Sequence, residues 1–234
     1  RLGGAPVDRR RVRGRRGRVG HADRVAQRQR ADDALRLEHL AAGVQAQRAG
    51  NGPVVLIDID PQGSLADWWN EREAEYPAFA QTTVARLASD LVALRQQGFK
   101  LAVIDTPPAI TVAIQSVIQV AELIVIPTRP SPHDLRAVGA TVDLCERAGK
   151  PLVFVVNAAT PKAKITSEAA VALSQHGTVV PATLHRSDAY AASALDGLTV
   201  TEADPRGAPA QDVAALWTYI AKKAGLLTGE PANK

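Results

Sequence analysis

From position 53 onward, short unbroken apolar runs alternate with longer stretches whose apolar residues recur every three or four positions. The runs are Pro53–Ile59 (PVVLIDI), Lys100–Ile104 (KLAVI), Leu123–Pro127 (LIVIP), Leu152–Val156 (LVFVV) and Thr178–Pro181 (TVVP). Runs this short, rich in β-branched residues and continuous rather than alternating, predict strands buried on both faces. Between them the spacing predicts helices near 64–74, 82–97, 110–121, 132–148, 166–176 and 210–224. Strands alternating with helices imply βαβ units, and so an α/β domain whose mostly parallel central sheet carries helices on both faces.

The first fifty residues break this pattern. Arg9–Arg30 shows neither period and is Arg-rich and punctuated by Gly, which reads as disordered. Leu35–Ala49 allows a modest helix ending at Gly50. The expected organisation is a leader over 1–34, a domain over 35–225 and a flexible tail over 226–234.

Charge follows the same division. The formal net charge is +4, yet residues 1–50 hold 13 Arg, no Lys and 5 acidic residues, a balance of +8. The remainder balances at −4, so the high isoelectric point describes the leader. A lone Cys145 excludes an internal disulfide framework and reads as a small apolar residue on a helix. No apolar run approaches the roughly 18–20 residues needed to span a bilayer, and no signal-peptide core is evident. These features point to a cytoplasmic protein. The absence of any Met points to a start upstream of Arg1.

In an open parallel sheet, ligands bind beyond the carboxyl ends of the strands. The polar residues that end each run are therefore the candidates for chemistry. The first run ends in Asp58-Ile59-Asp60-Pro61-Gln62-Gly63-Ser64, two carboxylates one residue apart before a Pro/Gly turn. Such a pair calls for a metal, a cation or water, or else is an ordinary acidic turn. The second run ends in Asp105-Thr106-Pro107-Pro108, the form of a strand-end carboxylate that holds Mg²⁺. The third ends in Pro127-Thr128-Arg129-Pro130, with Asp134 as a possible helix cap. The fourth ends in Asn157, whose amide could read an adenine edge or cap a turn.

Five segments carry a resemblance: VVLIDIDPQGSLADWW (54–69), LAVIDTPP (101–108), LIVIPTRPSPHDLRAVGAT (123–141), VFVVNAATP (153–161) and LHRSDAYAASALDGLTVTEADPRGAPAQDVAALWTYI (184–220). In order and spacing they resemble the ParA/MinD group of P-loop ATPases, the ParA branch most closely. The resemblance implies a three-layer P-loop fold and ATP hydrolysis between two subunits, with Mg²⁺. Asp60 would position or activate the attacking water, with Asp58 beside it. Asp105 would hold Mg²⁺, and Asn157 would contact adenine, with Pro181–Arg186 running near the base. It further implies a homodimer formed on ATP binding, nonspecific DNA binding, stimulation by a ParB-type adaptor, no membrane, and a nucleoid-associated location. Arg186, Lys222 and Lys223 are the candidate DNA contacts, although a solvated helix face also accounts for the lysines. Leu216, Trp217, Ile220 and Ala224 read as a core-facing stripe rather than a membrane-targeting one.

The phosphate-binding loop of that family, of the form KGGxGKTT, is not recognisable. The family's usual gap before Asp60 puts the loop Lys at 32–35, where the chain reads Asp32-Asp33-Ala34-Leu35. A carboxylate pair there would repel triphosphate. Codons for Lys-Thr-Thr such as AAG-ACG-ACG, followed by C and read two bases out of frame, give Asp-Asp-Ala. A frame error upstream of about position 43 thus explains the leader, as against a degenerate loop or a basic DNA-binding arm. As written, the chain is expected not to bind ATP. Without the first, central strand, the strands ending at Asp58 and Asp105 would each lose a neighbour. The resemblance thus implies an ATPase for plasmid or chromosome partitioning, and two other readings stand beside it. One is an ATP-using amidation enzyme of the cobyrinic acid diamide synthase type, which would need a further glutaminase domain. The other is a non-enzymatic remnant or scaffold.

Overall fold

The computed structural model describes residues 34–60, 63–106 and 112–226. The expectations for the leader and the tail fall outside these, save at Ala34 and Leu226. The first element is helix α1 (Ala34–Arg48). It ends as the sequence predicts, at Gly50 with φ 82°, where the Asn51 and Gly50 amides donate back to the Ala46 and Gln47 carbonyls. Gly43 lets this helix lie close on the sheet, since a Cβ there would come within 2.5 Å of Leu56 Cδ2.

Strand β1 (Val54–Asp58) is buried along its whole length. It is followed by α2 (Ser64–Glu71), β2 (Ala78–Gln81), α3 (Val84–Gln96), β3 (Leu101–Asp105) and α4 (Val112–Val120). Then come β4 (Ile124–Thr128), α5 (Pro132–Arg147), β5 (Leu152–Val156), α6 (Lys164–Ser174) and β6 (Thr178–Val179). The chain closes with α7 (Asp188–Ala194), α8 (Val200–Ala203) and α9 (Ala208–Lys223). Every predicted strand and helix is present within two or three residues. β2, α7 and α8 were not predicted.

All strand pairs are parallel, as expected, but the strands form two three-stranded sheets, β2-β1-β3 and β4-β5-β6. Among the described residues no strand lies between β3 and β4. β1 is flanked on both sides, so the strand ending at Asp58 keeps its neighbours, while β3, which ends at Asp105, is an edge strand, as are β2, β4 and β6 among the described residues. Burial follows this arrangement: β1 and most of β5 are fully buried, β3 is half-buried up to Asp105, and β4 is mixed, with Val125 exposed. One core cluster joins the two sheets. Val54, Val153 and Val155 pack with Val213, Leu216, Trp217 and Ile220 of α9, and with Leu101, Val103 and Leu123.

The α9 stripe is therefore core, as the spacing predicts, except that Ala224 lies exposed at the helix end. Cys145 is fully buried, and burial, with the charge of Glu146, pushes its thiol up. Ser131, not Asp134, caps α5: its Oγ accepts the Asp134 amide at 3.1 Å. Asp134 sits at the third helical position and bonds the Ser131 hydroxyl, so the cap residue precedes the Pro that opens the helix.

Candidate functional site

The acidic site forms where two neighbouring strands end together. Asp58 and Asp105 are register partners at the carboxyl ends of β1 and β3, which sets their backbones one interstrand spacing apart, about 4.8 Å. Asp58, Asp60 and Asp105 are all buried, at 1, 3 and 7 % exposure. The Ile59 amide donates to the Asp105 carbonyl, and the Gly63 amide closes a turn on the Asp60 carbonyl. Gly63, at φ 68°, then starts α2.

The two carboxylates of the Asp-x-Asp turn differ in what they do locally. Asp58 accepts the Asp60 amide at 2.9 Å on Oδ1 and the Ala66 amide at 3.3 Å on Oδ2. It therefore ties the turn to the first turn of α2. Burial pushes its carboxyl above the usual range. The two amide donors offset part of this, and the charges of Asp105 and Asp60 add to it. Sequence shows the pair but not which member faces inward to organise the backbone.

At the other sheet, Asn157 follows β5 and is fully buried. Its Oδ1 accepts the Ala158 backbone N–H, where φ is positive, and its own backbone N–H donates to the Thr128 carbonyl at 2.9 Å. Turn capping is thus one role the structure gives its side chain. The segment from Val180 runs along β5: the Val180 and Leu184 amides donate to Phe154 and Val156, and Ala159 and Arg186 pair onward. Pro181 is exposed at its start. The segment opens a cleft of ≈ 380 Å³ lined by Thr160, Pro161, Arg186, Ser187 and Asp188. Arg186 is exposed there, and Lys222 and Lys223 are exposed in the last turn of α9.

A cluster that sequence reasoning missed lies behind α2. Arg72, 8 % exposed, forks onto Glu202 at 2.6 and 2.9 Å and also donates to the Gly197 and Tyr76 carbonyls. Its guanidinium lies 5.2 Å from the Trp68 ring centre, a cation–π contact. Glu202 closes a capping box with Thr199. Burial alone would raise Glu202. Hydrogen bonds and charge from Arg72, with Thr199, more than offset it, and the net direction is below the ordinary 4.5.

Because the folded-state value is lowered, the pair's stabilisation is present above about pH 4.5 and is lost as pH falls through the lowered value. Thermal melts from pH 7 down to 3 are expected to show this acid loss. Glu202→Gln is expected to flatten it; an unchanged acid slope would contradict the assignment.

The carboxylates fit Mg²⁺ as hard oxygen donors. Mg²⁺ is commonly held by one or two carboxylates plus water and phosphate oxygens, without an all-protein cage. Among the described residues no group of three His, Cys, Asp or Glu side chains is placed to hold a metal ion by itself. The triphosphate does not fit the same way, because the described residues include no glycine-rich loop to cradle it. No helix of the described residues is long and apolar enough to cross a membrane.

No family model matches the chain. A maintenance of carboxysome distribution protein A from Gloeobacter kilaueensis is 43% identical over 106 residues, 44% of this chain and 47% of that protein. The match therefore spans about half the length of that relative. The protein of the same name from Halothiobacillus neapolitanus is 29% identical over 188 residues, 74% of this chain and 84% of that one. Among solved structures, the cell division ATPase MinD of Pyrococcus furiosus superposes with a TM-score of 0.62 at 17% identity, covering 80% of this chain and 92% of MinD. An ATP complex of a Cyanothece McdA variant gives 0.60 at 16% identity, covering 83% and 94%.

Proposed function

We propose that this chain belongs with the ParA/MinD group, whose fold it shares with solved ATPases, and derives from a partitioning ATPase that has lost its phosphate loop. The observation that carries this reading is the in-register pair Asp58 and Asp105, buried at the sheet's carboxyl end with Asp60 beside them. In the intact protein Asp105 holds Mg²⁺, Asp60 orients water, and Asp58 fixes the turn that presents Asp60. Asn157 and the Pro181–Arg186 segment form the base side. The break between β3 and β4 supports a missing central strand, and the loop is the segment that would follow it. A frame error before position 43 accounts for both losses.

The cargo is a finer question. The curated relatives are named for carboxysome distribution, which favours a protein body over a plasmid or chromosome as the object positioned. The intact protein dimerises on ATP, holds DNA without sequence preference through Arg186, Lys222 and Lys223, and answers to an adaptor in the ParB role. Nothing among the described residues favours the amidation reading.

This is tested with a frame-repaired protein carrying KGGxGKTT and Asp60→Ala, which blocks turnover. Mg-ATP is expected to shift it from monomer to dimer in sedimentation. The dimer is expected to bind duplexes of unrelated sequence equally, and more weakly as salt rises. Replacing Lys222 and Lys223 by Ala should reduce that affinity by a similar factor on every duplex. A protein that stays monomeric with Mg-ATP, or ignores DNA as a dimer, defeats the proposal.

A further inference from the structure

The cluster behind α2 joins two regions that the proposed function leaves separate. Helix α2 has eight residues and spans about 12 Å. At its start the Ala66 amide donates to Asp58. Midway, the buried Trp68 donates its indole N–H to the Leu198 carbonyl at 3.1 Å. Just past its end, Arg72 grips Glu202 and the Gly197 carbonyl. Backbone meets backbone here as well: a Cβ on Gly197, which has φ 66°, would lie 2.4 Å from the Arg72 nitrogen. The 197–202 segment directly follows α7, and Asp188, the first residue of α7, lines the cleft beside Arg186.

We infer that Arg72 and Glu202 are positioning residues: their ion pair locks α2, and through it Asp58 and Asp60 beyond β1, to the 197–202 segment. A change at the turn is then felt at α7 and the cleft, and the reverse, because a coupling free energy acts both ways. The inference rests on the proposed function only in taking the acidic turn as the working end.

The geometry favours coupling over simple packing. A fork-to-fork ion pair fixes orientation as well as distance. Both ends of α2 are held by side chains whose other contacts lie in different parts of the fold, so a rigid helix carries displacement between them. The Trp68–Leu198 bond holds the middle of α2 to the same segment, and the fork fixes its far end.

Hydrogen exchange on the full chain, without nucleotide, tests this. Asp58→Asn is expected to speed exchange across Gly197–Glu202 by about fivefold or more, while the β5 amides of Leu152–Val156 stay within about twofold. The same change is then made in Arg72→Met/Glu202→Leu, where an apolar pair keeps the fold without the fork. In that background the effect on Gly197–Glu202 is expected to fall within about twofold. The inference is overturned if Asp58→Asn leaves Gly197–Glu202 unchanged in the native chain. It is equally overturned if the effect persists undiminished without the ion pair, or if β5 accelerates to the same extent. Because no nucleotide is present, failure here is distinguishable from failure of the ATPase reading.

Discussion

Arg72→Ala is expected to destabilise the protein by about 3–5 kcal/mol, the range found when one partner of a buried ion pair is removed. Arg72 is 8 % exposed and is held by Glu202, Gly197 and Tyr76. Truncation leaves the part-buried Glu202 carboxylate with Thr199 as its remaining donor, and leaves two carbonyls short of a donor. It also strips the guanidinium from the face of Trp68. At an m-value of about 2 kcal/mol/M, the urea midpoint should fall by about 1.5–2.5 M. Arg72→Lys keeps the charge but loses the fork, so it should fall between the native protein and the alanine variant. Arg72→Met/Glu202→Leu should return part of the stability, because no charge is left alone, while the Gly197 and Tyr76 carbonyls still lack the Arg72 donor and the Thr199 amide loses its acceptor. A midpoint for Arg72→Ala within about 0.3 M of native would show that the cluster contributes little.

The second large effect concerns the acidic turn in the frame-repaired protein. Asp60→Ala is expected to lower ATP turnover by about a hundredfold or more, in the range for loss of a positioned proton-transfer group. Its Mg-ATP affinity should stay within about threefold of the parent. Asp105→Ala should act on the other quantity, weakening Mg²⁺-dependent binding by about tenfold, roughly 1.4 kcal/mol, while nucleotide affinity without metal is unchanged. The split follows from placement. Asp105 ends β3 directly beside Asp58, on a rigid strand. Asp60 sits two residues beyond β1, on a turn fixed by the Asp58 carboxylate. Stopped turnover and equilibrium titration separate the two effects. Equal losses in both variants, or turnover within threefold of the parent in both, would show the roles to be misassigned.

The strands were legible because each is a continuous apolar run ending in a polar residue, and burial on both faces leaves that mark. The helix ends were legible at Gly50 and near Pro132, where glycine and proline punctuate the chain. β2 was not: Ala78–Gln81 is four residues at a sheet edge, half-exposed, and too short to show a period. α7 and α8 are seven and four residues long, below the length at which periodicity is informative. Thr199 with Glu202 three residues on was a readable capping box. The partner of Glu202 was not readable, since Arg72 lies 130 residues away and only the fold brings the two together.

At the candidate site, the chain showed three carboxylates at strand ends, and the structure brings them together. It could not show that Asp58 spends both oxygens on backbone amides, or that Asn157 caps its own turn. The split sheet was half legible. The missing strand was expected to expose the strands ending at Asp58 and Asp105. In the structure β3, which ends at Asp105, is an edge strand as expected, whereas β1, which ends at Asp58, is paired on both sides by β2 and β3. Strand order, unlike strand existence, is set by crossovers that leave no local signature.

Calorimetric titration of Mg-ATP into this chain and into its frame-repaired form tests the central claim most directly. The chain as written is expected to show no saturable binding up to about 1 mM. The repaired chain should bind at about 1–10 μM, a gap of roughly 3–4 kcal/mol or more. Micromolar binding by the chain as written would contradict the account, because no phosphate loop would then be missing. So would a folded, repaired chain that still fails to bind.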